Sequence, residues 1–207
     1  MKSRGMSMLR LIKLLTVIAV VLGAGSVILA TRSAAGSTTE TIVQKDDARS
    51  LAAFNAALPV FKHPRCLNCH SNGDFPRQGD DGHMHAQNVK RGTDGKGKFG
   101  QKCAACHQES NVAGLNMPPG APNWHLPSAA TPMIWEGKTG GQICRQLKDP
   151  KQNGGKTVAQ IVEHVTNDKL VLWGWAPGDG RTPPVLAHAD FAGKVSEWAK
   201  FGAACPE

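Results

Sequence analysis

Apolar positions fall at helical spacing in three stretches of the chain. Leu51, Phe54 and Leu58 share one side of a predicted helix that Asp46 or Asp47 caps and Pro59 ends. Val158, Ile161, Val162 and Val165 share another, and Thr157 with Gln160 supplies a capping box at its start. A last helix turns Phe191, Val195 and Trp198 inward and stops near Gly202. Between Pro64 and Pro132 no period of either kind is sustained, and Gly, Pro, Asp and His dominate. No strand-like alternation of useful length occurs. The expected fold is therefore mainly α: a small, helical, loop-rich unit with no sizeable sheet, its aperiodic loops folded around cofactors.

The N-terminus has a different pattern. Met1 to Lys13 is basic, Leu14 to Ala30 is apolar, and Ser33, Ala34 and Ala35 are the small residues that a signal peptidase accepts. Residues 1–35 read as a signal peptide, with an uncleaved N-terminal anchor as the alternative, since the apolar run reaches the ~17-residue lower limit for crossing a bilayer. A polar linker, 36–45, and a single domain, 46–207, come after it. Membrane association is expected only if the N-terminal segment is retained. The implied location is the periplasm, an oxidising compartment where spare thiols pair.

Charge changes this picture little. The formal net charge is +8, but Lys2, Arg4, Arg10, Lys13 and Arg32 all precede residue 36, where no acid occurs. The rest of the chain has 19 basic against 16 acidic residues, which gives no reason to expect nucleic acid as a partner. A local basic run, Lys90, Arg91, Lys96, Lys98 and Lys102, is either a solvated loop or a patch to dock an acidic partner or to neutralise the carboxylates of a cofactor.

The cysteines carry the chemistry. Cys66-Leu67-Asn68-Cys69-His70 and Cys103-Ala104-Ala105-Cys106-His107 both match C-x-x-C-H, the attachment sequence of c-type haem. On a short helix the positions i, i+3 and i+4 share a face, so both sulfurs reach the two vinyl groups while the His points at the iron. Cys66, Cys69, Cys103 and Cys106 are thus expected to form thioethers to two haem c groups, with His70 and His107 as proximal ligands, so that the expected mainly α fold is a small, loop-rich, cytochrome c-like unit built around two haems. A zinc site or paired disulfides would explain the C-x-x-C pairs but not the His after each. The two histidines are 37 residues apart, so the haems are expected to lie close together. Cys144 and Cys205 remain, and a disulfide between them would stabilise the fold by about 4 kcal/mol through loop closure.

The sixth ligand of each iron is left open, because His63, His83, His85, His125, His164, His188, Met84, Met117 and Met133 are all available. The inter-haem loop with His83 and His85 ranks first, ahead of Met117 before its two prolines and His125 between Trp124 and Leu126. His63 is expected to bond a propionate or the backbone, His164 to pair with Asp168, and His188 to start a helix. Trp124, Trp135, Trp173, Trp175 and Trp198 are candidates to wall the porphyrins, or to serve as ordinary core.

His63 to Arg65, Gly79 to Gly92, Met117 to Pro127, Cys144 to Lys156, Leu170 to Pro183 and Gly202 to Pro206 together resemble a family of proteobacterial dihaem proteins labelled isoquinoline 1-oxidoreductase subunit. Gln146 to Pro150 and Val171 to Trp175 are its most specific stretches. The resemblance implies association with a molybdenum hydroxylase, whose electrons a two-haem subunit would accept. The chain lacks the four-cysteine iron–sulfur patterns of such a hydroxylase and is too short for its molybdopterin subunit, so it is expected to accept electrons rather than hydroxylate.

These residues admit three functions. A periplasmic electron carrier, serving a molybdenum hydroxylase, another dehydrogenase or a terminal electron acceptor, asks least of the sequence. A haem enzyme such as a peroxidase needs one open iron site and acid–base groups beside it. A sensor needs an output domain, and none is visible.

Overall fold

The computed structural model describes residues 45–207. The signal or anchor segment, 1–35, and all but the last residue of the linker, 36–45, lie outside the described residues. No helix among the described residues, 45–207, is long and apolar enough to cross a membrane.

The Asp46 carboxylate accepts from the Arg49 N–H at 3.0 Å and opens helix α1, Asp47–Phe61. Pro59 was expected to end this helix, but α1 runs on for two residues. Proline forfeits only one i→i−4 bond so near a C-terminus. Val60 and Phe61, 0% and 1% exposed, are buried by the extra turn and offset that loss. The inward face also differs from the expected one, since Ser50, Ala53, Phe54 and Ala57 are buried while Leu51 and Leu58 are half-buried.

Helix α6, His188–Lys200, lies along α1 and forms its most extensive partner. Phe54, Phe61, Phe191 and Trp198 meet there, with ring centroids between 5.1 and 5.9 Å apart. Helix α4, Val158–Asn167, has the expected capping box and covers α6 with Ile161 and Val165. Helix α3, Gly140–Lys148, begins with a second capping box, Thr139 with Gln142, and buries Ile143, Cys144 and Leu147.

Cys144 and Cys205 are joined as expected, with Cα atoms 5.5 Å apart. The bridge straps the C-terminal tail to α3. Buried Ser50 fastens the same tail to α1 and α6, donating to the Trp198 carbonyl at 2.8 Å and accepting from the Ala204 N–H at 2.9 Å. Gly202, at φ +105°, turns the chain out of α6.

Two short helices complete the framework: α2, Pro64–Leu67, and α5, Lys169–Leu172, which passes into a 3₁₀ turn over Trp173–Trp175. Among the described residues the sheet is a two-stranded antiparallel hairpin, β1 (Arg77–Gln78) and β2 (His83–Met84), with Arg77 opposite Met84. Over the described residues the fold is mainly α with no sizeable sheet, and long loops span the region between α2 and α3.

Candidate functional site

Both C-x-x-C-H sequences form a single tight turn, though of different kinds. The first continues α2, where the N-terminal proline is preset for helix and the His63 imidazole accepts from the Arg65 N–H at 3.2 Å. The second is a 3₁₀ turn over Cys103–Ala105. In each, the histidine N–H closes on the carbonyl of the first cysteine, His70 to Cys66 at 3.0 Å and His107 to Cys103 at 2.9 Å. That bond brings both thiols and the imidazole of each motif to one side.

The two imidazoles are held in the same way by segments far along the chain. His70 Nδ1–H donates to the Met133 carbonyl at 2.7 Å, and His107 Nδ1–H donates to the Pro119 carbonyl at 2.7 Å. With Nδ1 fixed as donor, Nε2 is the lone-pair nitrogen, as an axial metal ligand requires. An indole lies flat against each ring, Trp135 on His70 at 3.5 Å and Trp124 on His107 at 4.4 Å, within 9° of parallel. Burial pushes the His70 imidazole down to about 3 and also lowers His107, which favours the neutral ring in both.

Burial likewise pushes the Cys66 thiol up to about 12 and the Cys69 thiol up to about 11. After burial, Arg91 lowers Cys69 and Cys103 raises it. Cys103 of the second C-x-x-C-H turn thus lies within electrostatic reach of Cys69 of the first. Trp124 extends this proximity, packing edge-on against Trp173 at 4.9 Å, which in turn lies 5.8 Å from the Arg65 guanidinium beside Cys66.

A cavity of ≈470 Å³ opens beside the first motif and is lined by Cys66, Cys69, His70, Arg65 and Trp135, among others. Its size is within the range of cofactor pockets. Two buried donors in its lining, Arg65 Nε and Trp135 Nε1, have no hydrogen-bond partner in the protein. Unpaired buried donors are costly, and the carboxylates of a haem would satisfy them. The residues present fit a haem at this site. Among the described residues no group of three or more His, Cys, Asp and Glu side chains is placed to hold a metal ion. A haem iron asks the protein only for axial ligands, its porphyrin supplying the other nitrogens.

The other candidate ligands separate clearly. His125 lines the first cavity, with Nδ1 bonded to the Asn123 carbonyl at 2.5 Å. His164 lines it too and pairs with Asp168 at 3.2 Å, as the sequence suggested. His85 faces His107, with ring centroids 6.1 Å apart. His83 is half-exposed and bonds Asp81 at 2.6 Å. Met117 is 42% exposed, on the loop whose Pro119 carbonyl holds His107. His188 begins α6 as expected and bonds the Val165 carbonyl at 2.9 Å.

The basic run is divided by the fold. Arg91 is 2% exposed and donates to the Pro127 and Gly73 carbonyls at 2.8 and 3.3 Å, so it braces loops instead of facing a partner. Beside it, the Leu126 N–H reaches the Gly95 carbonyl at 2.9 Å, and a Cβ on Gly95 would fall 1.9 Å from the Leu126 oxygen. Only glycine permits that approach. Sequence reasoning also passed over Asn111, which gives no signal by composition. It accepts from Trp173 Nε1 at 2.9 Å and the Gly120 N–H at 3.0 Å, and donates to the Ala176 carbonyl at 2.8 Å. It thus fixes the segment that holds His107 against the indole pair.

No family model matches the chain, no curated protein matches it, and no solved structure matches it.

Proposed function

We propose that this chain is a periplasmic electron carrier holding two covalent c-type haems. The observation that carries the reading is the repeated construction: two C-x-x-C-H turns, each with its imidazole tied through Nδ1 to a backbone carbonyl at 2.7 Å and covered by an indole. A single such arrangement is compatible with chance packing. Two, built from unrelated loops, support a common purpose.

Cys66 and Cys69 would tether one haem and Cys103 and Cys106 the other. Bound haem supplies a one-electron couple at each site. The protein's part is orientation and desolvation. The Met133 and Pro119 carbonyls aim Nε2 of His70 and His107, the indoles restrict ring rotation, and Arg65 Nε with Trp135 Nε1 would receive the carboxylates of the first haem.

The second site is the more open one. Cys106 is exposed, and Val112, Leu115 and Met117 stand exposed on the loop beyond it. Such an edge suits brief docking to a redox partner. The resemblance to dihaem subunits associated with a molybdenum hydroxylase favours that class of enzyme as electron donor. The Cys144–Cys205 bridge fits an oxidising compartment.

The test is haem counting and ligand challenge on the purified mature protein. Two haems per chain by pyridine haemochrome, with neither reduced iron binding carbon monoxide, is the expected result. Rapid carbon monoxide binding with peroxide turnover would replace the carrier reading with the enzymatic one.

A further inference from the structure

The facing pair His85 and His107 lies outside what the attachment motifs require, and its spacing is informative. Two imidazoles joined by a direct N–H···N bond of about 2.9 Å would have centroids about 5.2 Å apart. Two imidazoles on opposite sides of one metal, each at about 2.0 Å and with a ring radius near 1.15 Å, would have them about 6.3 Å apart. The observed separation is 6.1 Å. His85 Nδ1 is buried with no partner at hydrogen-bond geometry, although the Gln87 side chain approaches the ring, while His107 has its Nδ1 committed to Pro119 and its Nε2 free of that bond.

We propose, resting on the dihaem reading above, that His85 is the sixth ligand of the second iron, opposite His107. The competing side chains of the same loop are otherwise placed. His83 is bonded to Asp81, and Met84 is 49% exposed on the strand end.

His85 is brought there by the β1–β2 hairpin, and the hairpin is anchored at the first attachment motif. The Arg77 N–H donates to the Asn68 carbonyl at 2.8 Å, and Asn68 Nδ2 donates to the Gly79 carbonyl at 2.9 Å. Arg65, beside Cys66, bonds the same carbonyl at 2.9 Å and forms an ion pair with Asp80. Beyond the hairpin the His85 N–H donates to the Pro76 carbonyl at 3.2 Å, and the Ala86 N–H donates to Gln78 Oε1 at 3.1 Å. Residues of one C-x-x-C-H turn thus hold the arm that completes the other site.

The consequence is a second haem closed to external ligands and tuned by two imidazoles, whose planes are crossed at 67°. Crossed planes give a low-spin electron paramagnetic resonance signal with a large gmax in place of an ordinary rhombic one.

The experiment compares the mature dihaem protein with His85→Ala, His85→Met and His83→Ala, each first counted for haem. Two haems per chain with one turning high-spin and binding carbon monoxide in His85→Ala, and neither doing so in His83→Ala, is the expected result. His85→Met should restore a low-spin iron with a near-infrared thioether band and a higher midpoint potential, because thioether ligation favours the reduced iron. If His85→Ala keeps two haems that still refuse carbon monoxide, His85 is not the ligand. Should that variant fail to accumulate, His85→Met decides alone, and absence of the near-infrared band overturns the assignment. Fewer than two haems per wild-type chain overturns the dihaem reading and this assignment with it, and the haemochrome count distinguishes that failure from loss of a ligand.

Discussion

Opening the Cys144–Cys205 bridge should cost the protein about 4 kcal/mol. The bridge spans a sequence separation of 61, and closing a loop of that length removes about 14 cal/mol/K from the unfolded chain, or about 4.3 kcal/mol at 25 °C. The C-x-x-C-H cysteines lie at residues 66–106, outside the loop, so haem attachment there would not shorten it. Cys144 is fully buried, and its truncation leaves a small void that adds to the loss. At about 2–4 °C per kcal/mol for a chain of this size, the Cys144→Ala/Cys205→Ala holoprotein should melt roughly 10–15 °C lower. The assay is thermal and urea denaturation monitored by far-ultraviolet circular dichroism, with wild type in thiol reductant as a second route to the open bridge. A loss below about 1 kcal/mol would refute the loop-entropy reasoning. In that case the tail would be held by its hydrogen bonds alone: Trp198 Nε1–H to the Ala204 carbonyl at 2.9 Å, the two bonds of Ser50, and Arg145 to the Pro206 carbonyl at 3.1 Å.

Ser50→Ala strips a buried hydroxyl from the Trp198 carbonyl and the Ala204 N–H. It should lower stability by about 2–3 kcal/mol, read as a shift of the urea midpoint at constant slope. Asp168 has its carboxyl lowered from 3.8 to about 2, first by the hydrogen bond from His164. A depressed folded-state value means the stabilisation is complete above the ordinary value and is lost as pH falls through about 2. Asp168→Asn, which keeps the cap oxygen for Leu170, should therefore flatten the stability profile between 3.8 and about 2. Trp135→Ala removes the indole from His70 and from Phe61 and should cost about 3–5 kcal/mol, with a high-spin fraction appearing at one haem in the visible spectrum. Asp80→Ala releases the hairpin from Arg65 and from the Thr182 N–H. It should raise the fraction of haem that binds carbon monoxide while leaving two haems attached.

Local rules account for what the chain showed in advance. The C-x-x-C-H spacing states its own geometry, because i, i+3 and i+4 fall on one side of an α-helical turn, which the His N–H closes on the carbonyl of the first cysteine in both motifs. Thr157 and Gln160 are close enough in sequence to cap one another without help from the rest of the fold. His164 and Asp168 pair because they are one helical turn apart. Cys144 and Cys205 were matched by elimination, all other cysteines belonging to the two motifs.

The remainder depended on contacts between distant segments. Nothing local marks the Met133 and Pro119 carbonyls as acceptors for His70 and His107, since a carbonyl has no sequence signature. Arg91 read as one member of a basic run, and only the converging Pro127 and Gly73 carbonyls make it a buried brace. Pro59 looked like a terminator because its missing N–H is a local fact, whereas the burial of Val60 and Phe61 that carries α1 past it is not. The sequence alone therefore determined the two C-x-x-C-H turns, the capped helices and the pairing of the spare cysteines, each set by neighbours within a few residues or by exclusion. The choice of His85 to face His107, and of His125 and His164 to line the first cavity, came only with the tertiary structure. In an aperiodic, glycine-rich loop the local energies of neighbouring positions are nearly equal, and long-range hydrogen bonds decide which side chain turns inward.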